Sequence, residues 1–186
     1  MSKSSSDKDI PHGMAFLEAA KQFEGIKKVE AYLESAAQSF KDPEHREWVT
    51  TIIPYLSIVS HSSTPPHPSV TFRFTVQQVH DNGLGNMQGG CISTVFDNCT
   101  SLPLHLISKP GFWQYTGVSR TLNVTYLRPI PVGSTIDIKC DILHAGRSLC
   151  ALRGEMRAVT EDGREGPLLA VCEHGKASTD PPVEKL

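Results

Sequence analysis

Only one stretch beyond residue 50 carries a long helical stripe, and strand-like runs stand on both sides of it. Ile92, Val95, Phe96, Cys99, Leu102 and Leu106 recur at three- and four-residue steps, which predicts a helix over roughly 88–107 with a kink at Pro103. Ahead of it, YLSIVSH (55–61) reads as a short strand. VTFRFTV (70–76) alternates with period two, Val70, Phe72, Phe74 and Val76 sharing one face. Behind it come VSRTLNVTYL (118–127), STIDIKCDIL (134–143), RSLCALRGEMRAVT (147–160) and PLLAVCEHGKAS (167–178). HAG (144–146) and EDGREG (161–166) are hairpin turns, so the strands run antiparallel. One helix with an apolar stripe must bury it, and the only large partner is that sheet. The expected class is α+β, a curled antiparallel sheet wrapped around one long central helix.

The N-terminal part differs. Residues 1–12 read as a disordered tail. Met14, Phe16, Leu17, Ala20, Phe23, Ile26, Val29, Tyr32, Leu33, Ala36 and Phe40 then keep helical spacing over 14–40, weakened at Gly25. Asp42 before Pro43 restarts a short helix through Trp48. The expected organisation is a tail and helical extension over 1–50, one domain over 51–180, and a tail over 181–186.

A formal net charge of −2 and a pI near 6.4 give no electrostatic case for nucleic acid or an anionic membrane as partner. Cys91, Cys99, Cys140, Cys150 and Cys172 are odd in number and match no disulfide or zinc spacing. They point to a reducing compartment: cytoplasmic, with mitochondrial or peroxisomal placement left open. The N-terminus carries no secretory or transit pattern, and no apolar run has the length of a membrane span. The histidines form no ligand cluster with carboxylates, so no metal is expected.

The stretch HDNGLGNMQGGC (80–91) crowds Gly83, Gly85, Gly89 and Gly90 ahead of the helix. A helix starting there offers unpaired N–H groups and the positive end of its dipole to a polarised oxygen. Glycines alone also fit a plain strand-to-helix turn.

The wider pattern carries more. Asn82-x-x-Gly85-x-x-Gln88-Gly89-Gly90, Asp97 nine positions after Gln88, His80 two before Asn82, GVSRTLNVTYLRP (117–129), HAGRSLC (144–150) and HGKAS (174–178) together resemble the hotdog-fold acyl-CoA thioesterases. The similarity is to the branch of the phenylacetate-pathway enzyme and the small mammalian thioesterase, and it covers roughly 55–178. It implies a hotdog fold, hydrolysis of an acyl-CoA to the acid and CoA, and no cofactor, since CoA is part of the substrate. It assigns the Gly89 N–H, helped by Asn82, to the thioester carbonyl, and Asp97 to the role of general base or nucleophile. Ser119 aligns with a position that orients the attacking water. Gln88 stands where the family usually has His; glutamine can donate a hydrogen bond but cannot take up a proton. Gly90, Arg128, Arg147, His174, Gly175 and Lys176 are the candidates for contacts to CoA, the cations for its phosphates and His174–Gly175 for the pantetheine path. His80 reads as a structural residue that holds the loop after it.

Gly89 and Asp97 are eight residues apart, about 12 Å along one helix. One helix cannot bring both to one carbonyl, whereas two antiparallel copies can. The expected assembly is a homodimer with shared sites, or a dimer of dimers. The alternative reading is a thioester-binding protein of the same fold that turns over weakly or not at all because of Gln88.

Overall fold

The computed structural model describes residues 22–39 and 48–181. The helical expectation for 14–21 and the Asp42–Pro43 helix start lie outside them. Helix α1 (Ile26–Ser39) begins just after Gly25, whose φ of +56° breaks the helical path that the spacing alone would have continued. Strands β1 (Leu56–Ser62) and β2 (Ser69–Thr75) follow. Next come helix α2 (Gly89–Ser101) and strands β3 (Val118–Tyr126), β4 (Thr135–Ala145), β5 (Leu149–Val159) and β6 (Glu165–Ala177). They form one six-stranded sheet in the order β1-β2-β4-β5-β6-β3, each neighbouring pair antiparallel.

The sheet curls over α2, the expected hotdog arrangement. Val70, Phe72 and Phe74 of β2 are buried, as are Ile136, Ile138, Cys140 and Ile142 of β4. All but Ile142 pack with Ile92, Val95, Phe96 and Cys99 of α2 in a core that excludes water from nearly all of each side chain; Ile142 joins a second cluster with Leu104, Trp113, Cys150 and Leu152. The central helix stops being α-helical at Ser101 and runs on as a 3-10 turn, Leu102–Leu106. Pro103 explains the change: it has no N–H to give, and its ring crowds the carbonyl four residues back. α1 lies against this 3-10 turn. Val29 is fully buried, and Lys28 Nζ donates to Ser108 Oγ at 2.9 Å.

β3 is an edge strand, and it is the one strand whose side chains are mostly exposed on both faces. Val118, Tyr126 and Leu127 are 54%, 50% and 46% exposed. An open edge with apolar side chains usually marks a surface that meets another chain.

Candidate active site

Between β2 and α2 the chain makes a tight loop. Gly83 and Gly85 take φ of +84° and +79°, conformations that side chains resist. His80 pins the loop from beneath: its Nε2–H donates to Thr51 O at 2.7 Å, its Nδ1 accepts from Gln77 N at 2.9 Å, and its own carbonyl accepts from Gln88 N. Asn82 Oδ1 accepts from Leu84 N at 2.8 Å and closes the turn. Its Nδ2 group has no acceptor among the described residues.

Gln88 is the N-cap of α2, with Oε1 accepting from Cys91 N at 2.8 Å. This folds the side chain over Gly90, where an added Cβ would lie 2.8 Å from Oε1. Glycine at 90 is therefore explained by the cap. Glycine at 89 is not explained by packing, since a Cβ there would meet only the Tyr126 ring at an ordinary 3.7 Å. The Gly89 N–H has no acceptor among the described residues. Its carbonyl accepts from Tyr126 OH at 3.0 Å, and Tyr126 OH in turn lies 2.7 Å from Ser93 Oγ, so the first helical turn is braced against β3. Gly89, Asn82, Tyr126, Arg128 and Ile130 line one open cleft of about 400 Å³. Two free N–H donors and the positive end of a helix dipole thus face a space that can hold a small polar group.

Two turns along α2, on another face, Asp97 begins a second cluster. Ser119 Oγ donates to Asp97 Oδ1 at 2.7 Å, and His174 Nε2 lies 2.9 Å from Ser119 Oγ and 3.4 Å from Asp97 Oδ1. Behind it, His174 Nδ1 lies 2.7 Å from Thr100 Oγ1. Lys176 Nζ donates to Ser101 Oγ at 2.8 Å and to Ser119 Oγ at 3.4 Å. Asp97 is 43% exposed, whereas His174 and Lys176 are almost wholly buried. Burial, then the Lys176 charge, pulls the His174 pKa down to about 4 against the opposing pull of Asp97, so the imidazole is neutral near pH 7. Burial also lowers the Lys176 pKa, and Asp97 works against that shift. The cluster is a half-exposed carboxylate at the mouth of a buried polar chain.

The expected site residues therefore fall in two places. Asn82, Gln88, Gly89, Gly90 and Arg128 gather at the start of α2; Arg128 is exposed there and donates to Leu168 O at 2.6 Å. Asp97 and Ser119 meet at the second cluster. His174 and Lys176, expected on the path of CoA, lie in that cluster beneath Ser119. Gly175 sits between them, where a Cβ would come 2.6 Å from Thr121 Oγ1 of β3. Arg147 is exposed in the β4–β5 turn. Thr100 was not singled out from the sequence, although Asp97 and Thr100 stand three apart on the helix and His174 and Lys176 two apart on a strand. Those are the spacings that put pairs on one face. Among the described residues no group of three His, Cys, Asp or Glu is arranged to hold a metal ion, and no helix is long and apolar enough to cross a membrane.

Comparison with known proteins adds a likeness. Residues 84–165 match the family model described as the thioesterase superfamily. A mouse protein named acyl-coenzyme A thioesterase 13 is 30% identical over 101 residues, 54% of this chain and 66% of its own length. The chain thus spans between half and two thirds of the curated relatives it matches. Among solved structures, zebra fish thioesterase superfamily member 2 superposes with a TM-score of 0.59 at 23% identity, covering 78% of this chain and 96% of that one. The E. coli PaaI protein from the phenylacetic acid degradation operon gives 0.58 at 13% identity, covering 91% and 100%. At those identities the two structures speak for the fold.

Proposed function

From a thioesterase-superfamily segment at residues 84–165, carried on a hotdog fold, we propose that this protein hydrolyses acyl-CoA thioesters to a carboxylic acid and CoA. The relatives' name supports the substrate class. The observation that carries the reading is the pairing of an unpartnered Gly89 N–H at a helix start with a half-exposed Asp97 held by Ser119. The first suits the growing charge on a thioester oxygen, and the second suits deprotonating a water or attacking the carbonyl.

The two clusters lie about 12 Å apart along one helix. In our reading, α2 helices of two copies run head to tail, and each thioester lies between Gly89 of one copy and Asp97 of the other. The exposed apolar edge of β3 supports self-association, because it carries Ser119 and Tyr126 to the same surface. The carbonyl oxygen accepts from the Gly89 N–H and the Asn82 amide. Asp97 takes the proton of a water aligned by Ser119 as the water oxygen adds to the carbonyl carbon; the C–S bond then breaks and that proton passes to the departing CoA sulfur. In the direct route the Asp97 oxygen adds to the carbonyl carbon, and the C–S bond breaks to leave a mixed anhydride and the CoA thiolate. Water then cleaves the anhydride, releasing the acid and freeing Asp97 while a water proton goes to the thiolate. His174, neutral and buried, serves Ser119 as a hydrogen-bond partner and is not the base. Arg128, at the edge of the cleft, and Arg147, on an exposed turn, are the guanidiniums available to phosphate.

The test is a panel of acyl-CoAs with detection of released thiol, run on the protein and on Asp97→Asn. The reading expects turnover of at least one acyl-CoA and its loss in the variant. Unchanged turnover in Asp97→Asn refutes the assignment of Asp97, and no turnover with any acyl-CoA favours thioester binding without catalysis.

A further inference from the structure

The buried chain at Asp97 can be wired in two directions, because Ser119 and Thr100 each have one hydroxyl proton and neutral His174 has one ring proton. In the first direction Thr100 donates to His174 Nδ1, His174 Nε2–H donates to Ser119 Oγ, and Ser119 donates to Asp97. In the second, His174 Nδ1–H donates to Thr100, which donates to Phe96 O at 2.6 Å, and Ser119 turns its proton to His174. The first leaves Phe96 O 2.6 Å from a bare threonine oxygen, and the second leaves the charged Asp97 carboxylate 2.7 Å from a bare serine oxygen, the costlier of the two clashes.

Lys176 decides between them. It is 5% exposed, and no carboxylate oxygen lies within ion-pairing distance of it among the described residues. A buried ammonium without a direct counter-ion costs stability, so its presence calls for a reason. It has donors only, and it points two of them at hydroxyls, Ser101 Oγ at 2.8 Å and Ser119 Oγ at 3.4 Å. Lys176 fills an acceptor site of Ser119 Oγ, the Ser119 proton turns to the charged Asp97 carboxylate, and His174 Nε2–H then becomes the second donor to Ser119.

We propose that Lys176 is the positioning residue of this cluster: its ammonium fixes the direction of the hydrogen-bond chain, so that the Ser119 proton lies toward Asp97 and His174 stays a neutral donor. The inference rests on the hydrolase reading for its purpose, but its physical content is separate. It makes Asp97 the sole acceptor for a substrate proton in the cluster. The ionisable groups that face His174 are Lys176 and Cys172 on its own strand and Asp97 on α2. β3 brings the Ser119 hydroxyl, with Arg120 exposed beside it. Burial keeps the Cys172 thiol protonated, with its pKa raised to about 12. Lys176 is thus the cation in contact with the chain. Its Nζ and the His174 Nε2 share Ser119 Oγ as partner, so no more than about 6 Å separates them. At an effective dielectric of about 20 that separation corresponds to an influence of about two pH units on the imidazole.

The experiment is an NMR titration of the protein with isotope-labelled histidine, comparing it with Lys176→Met and Lys176→Gln. Without the charge, the His174 midpoint should climb by one to two pH units from its depressed position in both variants. Lys176→Gln keeps an amide donor and a polar shape, so it answers the question should the methionine variant fail to fold. The ring nitrogen shifts of the unmodified protein should show the proton on Nε2. The acid limb of kcat/KM should move toward neutral in the same variants. A His174 midpoint unmoved in a folded variant, or a proton found on Nδ1 in the unmodified protein, overturns the proposal. The titration needs no turnover, so an inactive protein would count against the hydrolase reading and leave this one standing on its own result.

Discussion

Gly89→Pro separates the oxyanion donor from everything else at the head of the central helix. Proline removes one atom of consequence, the amide proton. The structure says the fold will accept it. Gly89 is the first residue of α2, where proline is favoured. Gln88 before it has φ −67° and ψ 136°, the extended backbone that a following proline requires. The Gly89 N–H has no acceptor among the described residues, so no hydrogen bond is lost. An added Cβ meets only the Tyr126 ring, at 3.7 Å. Stability should therefore be unchanged or raised by about 0.4–1 kcal/mol through the stiffer unfolded chain. Catalysis should not survive so well. Losing one oxyanion donor costs about 100- to 1,000-fold in kcat, roughly 2.7–4 kcal/mol. Urea denaturation and thiol-release kinetics on the same preparation give both numbers. A folded Gly89→Pro whose kcat falls less than about threefold refutes the role of this amide.

Two further outcomes follow from local geometry. Gln88→Ala should lose about 1 kcal/mol of stability with its cap on Cys91 N, and Gly90→Ala should lose a similar amount because its methyl displaces the same cap. In the Gln88→Ala background the Gly90→Ala change should become stabilising, as alanine usually is over glycine in a helix; urea midpoints of the four proteins test the reversal. Acid should weaken the fold through His174 and His105, both buried and both with pKa drawn down to about 4, chiefly by burial; His105 Nδ1 has no hydrogen-bond partner. Between pH 4 and about 6.5 the unfolded chain binds more protons than the folded one, so stability is full above that window and falls through it. Each imidazole should cost about 1–2 kcal/mol by pH 5, and His105→Phe should remove roughly half of the pH dependence of the urea midpoint. A midpoint that does not change between pH 7 and pH 5 contradicts both assignments.

Local signals carried the elements well. The alternation of Val70, Phe72 and Phe74 and of Ile136, Ile138 and Cys140 reads directly as one buried face of a strand, and the stripe from Ile92 to Cys99 as the helix they cover. Pro103 marked the place where the helix tightens into a 3-10 turn. What spacing could not carry was long-range pairing. Nothing local says that β3 crosses to pair with β6, or that Ser119 faces Lys176 in that register. His174 and Lys176 therefore looked like surface contacts for CoA, whereas the β3–β6 pairing sets them under Ser119 with their side chains turned to α2. Gln88 is the converse case: its role as a cap follows from its place ahead of the helix, but glutamine is an uncommon cap, and the motif drew attention to chemistry instead.

The sharing of one site between two copies is tested most directly by mixing subunits. Asp97→Asn and Gly89→Pro proteins, each nearly inactive alone, are combined, unfolded and refolded together, and assayed for thiol release. In a hybrid pair, one site joins the intact Gly89 of the first to the intact Asp97 of the second. Random pairing should therefore restore about one quarter of the unmodified activity, counting one sound site in half of the pairs. If each active site were built within a single chain, every site in the mixture would carry a defect, and activity would stay at the level of the separate variants.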